Sequence, residues 1–172
     1  TSNWVAGDPS DTATTGAWVR VDPIGTDAAP EDDHTSGGSQ CYVTGQGSNG
    51  GSLGENDVDG GTTTLYSPTY DLSSAVDPVI SYWRWYSNDA GAGPNADAFI
   101  VQISNNGGSS WSEVETIGPN GAGTSGGWIQ HSFHVNDILA STANIKLRFL
   151  ASDLNSGSII EAGVDDLEIS DF

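Results

Sequence analysis

The sequence predicts an all-β protein, an antiparallel β-sandwich of the jelly-roll type with about nine short strands and long loops. The first observation behind this prediction is composition. The 172 residues include 23 glycines, and only 35% are hydrophobic, which is typical of short strands and abundant turns. The second observation is that Gly, Pro and Asn repeatedly interrupt short apolar and aromatic runs. Residues that favour helices are too few for a helical protein of this length.

Each predicted strand is rich in β-branched or aromatic residues and is bounded by turn residues. The strongest is 78–86, which reads PVISYWRWY. A hairpin is expected around 105–108, and one helical turn is expected within 135–141. The predicted strands are 17–21, 41–44, 62–66, 78–86, 98–104, 111–117, 128–135, 145–151 and 164–169.

The organisation of the chain predicts a single domain over residues 1–172, because no internal repeat or linker divides it. Two irregular stretches, 22–40 and 44–61, are longer than ordinary hairpin loops. Ordered loops of that length need something to hold them, often a ligand or a metal. Since the sequence does not begin with Met, we expect it to be a mature or excised piece of a longer protein.

The charge is strongly acidic, with 23 Asp and Glu against four Lys and Arg, a formal net charge of -19. Such a surface argues against nucleic acid and anionic membranes as partners, and no apolar run is long enough for membrane insertion. Asp outnumbers Glu by 17 to 6, and Asp is the acid of turns and calcium loops. Because so many carboxylates repel one another, we predict Ca²⁺ as a cofactor. The alternative is a merely acidic, solvated surface.

Four clusters of oxygen-bearing side chains are candidate calcium sites, since Ca²⁺ takes six to eight oxygen ligands. They fall at 8–12, 31–34, 55–61 and 161–169. Their candidate ligands are Asp8, Asp11, Glu31, Asp33, Glu55, Asp57, Asp59, Glu161 and Asp165.

Asp165 carries the most specific argument of this set. If Leu167 and Ile169 face the core of a strand, a period of two places Asp165 on the same face. A carboxylate facing inward must be paired or bound to metal, since burying it alone is costly. Pairing with Arg84 or Arg148 is the alternative to calcium.

A carbohydrate ligand is suggested by the aromatic strand, because sugars stack on exposed aromatic rings and bond to neighbouring polar groups. The candidate ligand-binding residues are Trp83, Arg84, Trp85 and Asn88. The alternation of Tyr82, Arg84 and Tyr86 with the two tryptophans places one set in the core and leaves the other exposed or covered. Core or interface packing of the tryptophans is the competing interpretation.

Catalysis is not expected. His131 and His134 point to opposite faces of one strand, so they cannot hold zinc together. The sequence has no His-Glu-x-x-His or Gly-x-Ser-x-Gly motif. The single cysteine, Cys41, lies in a strand-like run and is expected to be a buried hydrophobe rather than a nucleophile.

A family resemblance covers nearly the whole chain. It rests on the run at 7–23, on PEDDHT at 30–35 with CYVTG at 41–45, on NDVDGG at 56–61, and on LYSP and YDLS between 65 and 73, followed by 161–169. In combination these stretches resemble MAM-type and galactose-binding-like jelly-roll domains of large exported bacterial proteins. Such domains accompany secreted metallopeptidases, zinc carboxypeptidases and adhesins. The resemblance implies a jelly roll and calcium but no particular ligand.

Together these observations predict a non-catalytic, extracellular, calcium-stabilised β-sandwich with a structural or adhesive role. That role would be cell-surface, filament or stalk assembly, or service as an accessory domain of an exported protein. Its expected partners are further copies of itself or neighbouring domains, because weakly protected strand edges accept another strand. The alternative is a carbohydrate-binding module of a secreted hydrolase, whose partner is a polysaccharide.

Overall fold

The computed structural model describes residues 3–155 and 157–172. Their regular structure consists of ten β-strands and one 3-10 turn at Val135–Asp137. The strands are β1 Val5–Ala6, β2 Trp18–Val21, β3 Cys41–Thr44, β4 Gly61–Tyr66, β5 Pro78–Gly91, β6 Phe99–Ser104, β7 Ser112–Ile117, β8 Ile129–His134, β9 Lys146–Asp153 and β10 Ser158–Asp171.

The strands form two antiparallel five-stranded sheets packed face to face, which confirms the predicted all-β sandwich. Sheet I has the order β1-β4-β9-β6-β7, and sheet II has the order β2-β3-β10-β5-β8. The prediction missed the two-residue strand β1 and began β10 six residues too late. Both misses are at sequence positions where Gly and Ser weaken the strand pattern.

The core lies between the sheets and is built from alternate residues of the long strands. Tyr82 and Tyr86 of β5 are fully buried and meet Phe99 and Phe149 of sheet I. The Tyr82 and Phe149 rings are edge to face at 5.2 Å, and Tyr86 and Phe99 are stacked at 5.7 Å between centroids. These aromatic contacts hold the two sheets together, because buried aromatic rings contribute most of the stabilising free energy of a small core.

The outer face of sheet II is covered by residues 22–40, which we call the cover loop. The indole of Trp85 donates to the Ala28 carbonyl at 2.6 Å, and that of Trp128 donates to the Asp32 carbonyl at 3.1 Å. The predicted alternation of β5 is therefore confirmed, because Tyr82 and Tyr86 are in the core while the tryptophans face outward beneath a loop. Side-chain contacts to the sheet thus hold this long segment in place.

A β-bulge in β10 changes the side of the sheet on which Asp165 lies. Asp165 pairs with Trp83, but the next paired residue is Glu168, opposite Ser81, so β10 has one extra residue there. Asp166 takes a left-handed conformation at φ 45° within this bulge. Val164 and Leu167 both pack on the core, three residues apart rather than two or four. The prediction that Asp165 faces the core is wrong, because a bulge breaks the period of two.

Within the described residues, no helix is both long enough and apolar enough to cross a membrane.

Candidate ligand-binding groove

A groove runs along one edge of the sandwich, beside β2, β3 and the bulge of β10. It consists of two adjoining depressions that share Arg20, Gln40, Asp165 and Asp166. The first depression, a cavity of about 150 Å³, also holds Trp4, Tyr42 and Tyr70. The second is lined in addition by Asp33, Thr35, Gly38 and Ser39.

The aromatic part of the groove is supported by the core. Tyr42 lies on β3 opposite Val164, and Trp4 immediately precedes β1. The Trp4 ring is 5.1 Å from that of Tyr42 and 6.0 Å from that of Phe149, between centroids. Trp4 and Tyr42 are half-buried, so each ring is held on its inner side and keeps part of its surface open to solvent.

The polar part of the groove is contributed by the edge strands and the bulge. Arg20 and Gln40 are exposed, and the Arg20 guanidinium donates to the Gln40 side-chain oxygen. Arg20 stands opposite Tyr42 in the β2–β3 pairing. A guanidinium and an amide thereby lie beside aromatic rings. The guanidinium can donate to a bound hydroxyl group, and the amide can donate to it or accept from it.

The acidic wall of the groove is ordered by the cover loop. Asp165 accepts hydrogen bonds from the backbone N–H groups of His34 at 3.0 Å and Thr35 at 3.3 Å. Asp166 accepts from the Thr35 hydroxyl and pairs with His34 Nδ1 at 2.9 Å. Burial and the neighbouring Asp165 charge raise the pKa of Asp33. The loop and the bulge thus form one hydrogen-bonded unit.

The four residues predicted to bind a sugar do not form one surface. Trp83 and Trp85 face outward beneath the cover loop, and the Trp83 ring is stacked on that of His34. Arg84 and Asn88 point to the opposite side of β5, into the interior of the sandwich. The groove instead contains Trp4, Tyr42 and Arg20, which sequence reasoning missed because they lie in different elements that only the fold brings together.

In three of the predicted metal-binding stretches, the carboxylates accept hydrogen bonds from other groups of the protein. Asp8 accepts from Ser10 and from the Tyr66 hydroxyl, and these hydrogen bonds lower the pKa of Asp8 to about 2. Asp11 accepts from the Asp8 and Thr64 N–H groups, both at 2.9 Å. These carboxylates act here as acceptors for turns, a role that Asp next to Ser or Thr commonly takes.

Glu31 and Glu55 have the same kind of role in the two long loops. Glu31 accepts from the N–H of Gly25 at 2.8 Å, and Glu55 accepts from the N–H of Ser48 at 2.9 Å. Among the described residues, no three His, Cys, Asp or Glu side chains are arranged to hold a metal ion between them. Of the predicted ligands, the structure brings Asp33 close to Asp165, and Asp57 close to Asp59 and Glu161.

The buried acids lie at one end of the sandwich, away from the groove. Asp57 accepts from the N–H of Ile160 at 3.2 Å, and burial raises the pKa of Asp57 to about 6. Glu161 accepts from the Thr44 hydroxyl at 3.2 Å. Burial, followed by the charge of Asp57, raises the pKa of Glu161 to about 8. Asp153 lies near Asp57, and Asp97 lies near Asp153, so both are at the same end, and neither belongs to the predicted clusters.

Comparison with known proteins gives the fold but no family. No protein-family model matches the chain, and no curated protein matches it. The carbohydrate-binding module TmCBM61, solved in complex with β-1,4-galactotriose, is similar in structure. It is 14% identical, with a TM-score of 0.58 over 99% of this chain and 90% of that one.

Two further structures are similar. A cyclase from Fischerella sp. TAU is 10% identical, with a TM-score of 0.54 over 98% of this chain and 83% of the cyclase. The K1 cleaved adhesin domain of Lys-gingipain from Porphyromonas gingivalis W83 is 14% identical, with a TM-score of 0.49 and 99% coverage of both chains. The likeness to TmCBM61 and to the cyclase establishes the jelly-roll sandwich alone and leaves the ligand to be argued from the site.

Proposed function

We propose that this chain is a non-catalytic glycan-binding module of an exported protein, and that the groove is its ligand site. The observation that carries the proposal is the pairing in one concavity of the half-buried rings of Trp4 and Tyr42 with exposed Arg20 and Gln40. Rings anchored on the core offer flat apolar faces to a sugar, and the adjacent polar groups fix its hydroxyls. TmCBM61, which has the same fold and was solved with a galactotriose, supports this choice.

The charge of the chain favours a neutral polysaccharide. A net charge of -19 repels polyanions over distances up to the Debye length. Arg20 is the only basic side chain lining the groove among the described residues, and it stands beside Asp165 and Asp166. An uncharged glycan can accept from Arg20 and donate to the carboxylates without an electrostatic penalty.

The reactive groups of the chain support a non-catalytic role, although an enzyme shares the fold. Burial, reinforced by Asp165 and Asp33, raises the pKa of the Cys41 thiol to about 12, so a thiolate nucleophile does not form at neutral pH. His34, in the cover loop, is stacked on Trp83, while His131 pairs with Glu115 and His134 with Asp77. The three imidazoles therefore lie in three separate environments.

The test is affinity electrophoresis in gels containing β-1,4-galactan, cellulose derivatives or xylan, followed by titration with β-1,4-galactotriose. We expect at least one neutral polysaccharide to retard the protein. Arg20→Ala should weaken that binding about tenfold or more, since a charge-assisted hydrogen bond contributes about 1.5–3 kcal/mol. Lys146→Ala is the matched control, because Lys146 lies over the Tyr66 ring outside the groove. Equal migration in every gel, or equal retardation of Arg20→Ala and wild type, would refute the proposal.

A structural or adhesive role is the second candidate, and the strand edges favour it. β7 and β8 are edge strands, and neither contains Lys, Arg or Pro, the residues that usually protect an edge. In this alternative, copies of the chain or neighbouring domains of a MAM-like exported protein add strands there, with Ca²⁺ stabilising the module. Sedimentation at increasing concentration, in Ca²⁺ and in EGTA, tests it. Growth of oligomers only with Ca²⁺ supports assembly, and a monomer under all conditions contradicts it.

A further inference from the structure

Every carboxylate that is at least nine-tenths buried among the described residues lies at one end of the sandwich. The four side chains, which we call the acidic end, have exposed fractions between 4% and 6%. They are Asp57, Asp97, Asp153 and Glu161. Asp57 accepts from the Ile160 N–H and Glu161 from the Thr44 hydroxyl. In each of the other two, one carboxylate oxygen has no partner among the described residues.

Asp97 and Asp153 lie at the same end of two paired strands. In sheet I, Phe99 of β6 pairs with Ala151 of β9. Asp97 comes two residues before Phe99, and Asp153 comes two residues after Ala151. Because side chains alternate along a strand, both carboxylates share the inward face of their buried partners. The N–H of Leu154 donates to Asp97 Oδ1 at 2.8 Å, which holds the Asp97 carboxylate against the end of β9.

Each of these two carboxylates has one oxygen without a partner. Asp153 Oδ2 accepts a long hydrogen bond of 3.4 Å from the Gly60 N–H. Asp97 Oδ2 and Asp153 Oδ1 are buried and have no hydrogen-bond donor among the described residues. A buried anionic oxygen left in this way carries its full desolvation cost.

Asn88 adds a third unpartnered oxygen from the opposite sheet. This residue of β5 is fully buried, and its Nδ2 donates to the Asp97 carbonyl at 2.7 Å and to the Pro119 carbonyl at 3.0 Å. These two bonds fix the orientation of the amide, because only the nitrogen can donate. Asn88 Oδ1 is consequently left buried without a donor, beside Asp97.

In the part of the chain that the structure describes, no basic side chain pairs with these carboxylates. The four Lys and Arg side chains of the chain make polar or aromatic contacts elsewhere. These contacts are Gln40 for Arg20, Glu115 for Arg84, the Tyr66 ring for Lys146 and Gln102 for Arg148. Buried like charges without a cation are strongly unfavourable, and burial followed by the Asp97 charge raises the pKa of Asp153.

We propose that Asp97 Oδ2, Asp153 Oδ1 and Asn88 Oδ1 bind a divalent cation of the calcium class, which ties the ends of the two sheets together. All three are hard oxygen donors, and such a mixture of carboxylate and amide oxygens suits Ca²⁺, which readily keeps water as its remaining ligands. Asp57 lies close enough to Asp153 for their charges to interact, and it adds negative charge beside the site. A surface depression lined by Asp59, Gly60 and Asp153 connects the acidic end with solvent.

The experiment is calorimetric titration of the EGTA-stripped, dialysed protein with CaCl₂, combined with thermal melts of the same samples. Wild type should bind Ca²⁺ and melt at a higher temperature with it. Asp97→Asn and Asp153→Asn should each weaken Ca²⁺ binding at least tenfold. Asp27→Asn, an equal change of charge at an exposed position, should leave it unchanged. Circular dichroism establishes that each variant is folded.

Asp33→Asn separates this site from the carboxylates of the groove. The proposal predicts that this variant binds Ca²⁺ as wild type does. It would be overturned if Asp33→Asn showed no heat of Ca²⁺ binding while Asp97→Asn and Asp153→Asn still showed it. It would equally be overturned if wild type showed neither heat nor a change in melting temperature, because the acidic end would then be neutralised by shared protons alone.

Discussion

The imidazole of His34 lies flat on the indole of Trp83, with ring centroids 3.6 Å apart and 14° between the planes. The backbone N–H of His34 donates to Asp165, and its Nδ1 pairs with Asp166. One side chain of the cover loop thus contacts β5 and β10 at once. The outward position of Asp165, which the bulge creates, is what makes this arrangement possible.

Removal of that contact should loosen the cover loop. We expect His34→Ala to destabilise the protein by about 1–3 kcal/mol, because it removes a stacked ring and a hydrogen-bond partner of Asp166. Chemical denaturation measures the loss, and a red shift of tryptophan emission reports exposure of Trp83. His134→Ala, at an exposed position paired with Asp77, is the control. Equal stability of the two variants would contradict this role of His34.

The calcium-free protein should lose stability as pH rises. Burial and the Asp57 charge raise the pKa of Glu161 from 4.5 to about 8, so the folded state keeps a proton that the unfolded chain has released. This contribution is fully present below about pH 4.5 and is lost as pH passes about 8. Melting temperatures in EGTA across this range test the direction.

Glu161→Gln provides the matched comparison, since the amide still accepts from Thr44 but carries no charge. In EGTA at pH 8 this variant should melt about 2–4 °C higher than wild type for each kcal/mol of unfavourable charge burial that the substitution removes. Its melting temperature should also vary less with pH. A lower melting temperature for Glu161→Gln under these conditions would show that the buried charge is compensated within the protein.

Gly16 should tolerate no side chain. A Cβ at this position would lie 2.5 Å from the Val58 Cα, and the φ of 75° already disfavours other residues. We expect Gly16→Ala to cost about 2 kcal/mol or more. Gly50→Ala separates sterics from backbone strain, because Gly50 has a similar φ of 79° with no atom within 4 Å of the added Cβ. Similar losses in both variants would leave backbone strain as the whole effect.

Cys41 should be unreactive in the folded protein. Burial raises the pKa of its thiol to about 12, and the side chain is 2% exposed. Ellman's reagent at pH 8 should label it only after denaturation, because the thiolate is the reacting species. Rapid labelling of the native protein would mean that the region around β3 and Asp165 opens readily.

The strands were predictable because they depend on local composition. PVISYWRWY has the alternation and the β-branched and aromatic residues of a strand, and it lies within β5. The prediction that β5 separates its tyrosines from its tryptophans followed from the same local rule and is confirmed. The alternation alone did not predict whether the outward-facing tryptophans are exposed or covered. They are covered because the cover loop packs on them.

The sites were less predictable because they depend on relations between distant residues. Asp97 and Asp153 are isolated acids in sequence, so a search for acidic runs misses them, and the β6–β9 register is what brings them together. Arg20 and Tyr42 meet for the same reason, through the β2–β3 pairing. Conversely, Asp8 and Asp11 form a conspicuous acidic pair, but local hydrogen bonds hold both.

The sequence by itself determined that this chain folds into antiparallel strands with an acidic surface, because strand propensity and charge are properties of neighbouring residues. The tertiary structure alone decided which side of the sheet Asp165 faces, which aromatic rings line the groove, and which carboxylates are buried together. One additional residue in the β10 bulge reverses the side-chain alternation, and strand pairing joins residues more than fifty positions apart. Neither effect can be inferred from the local sequence, because both depend on the partner strand.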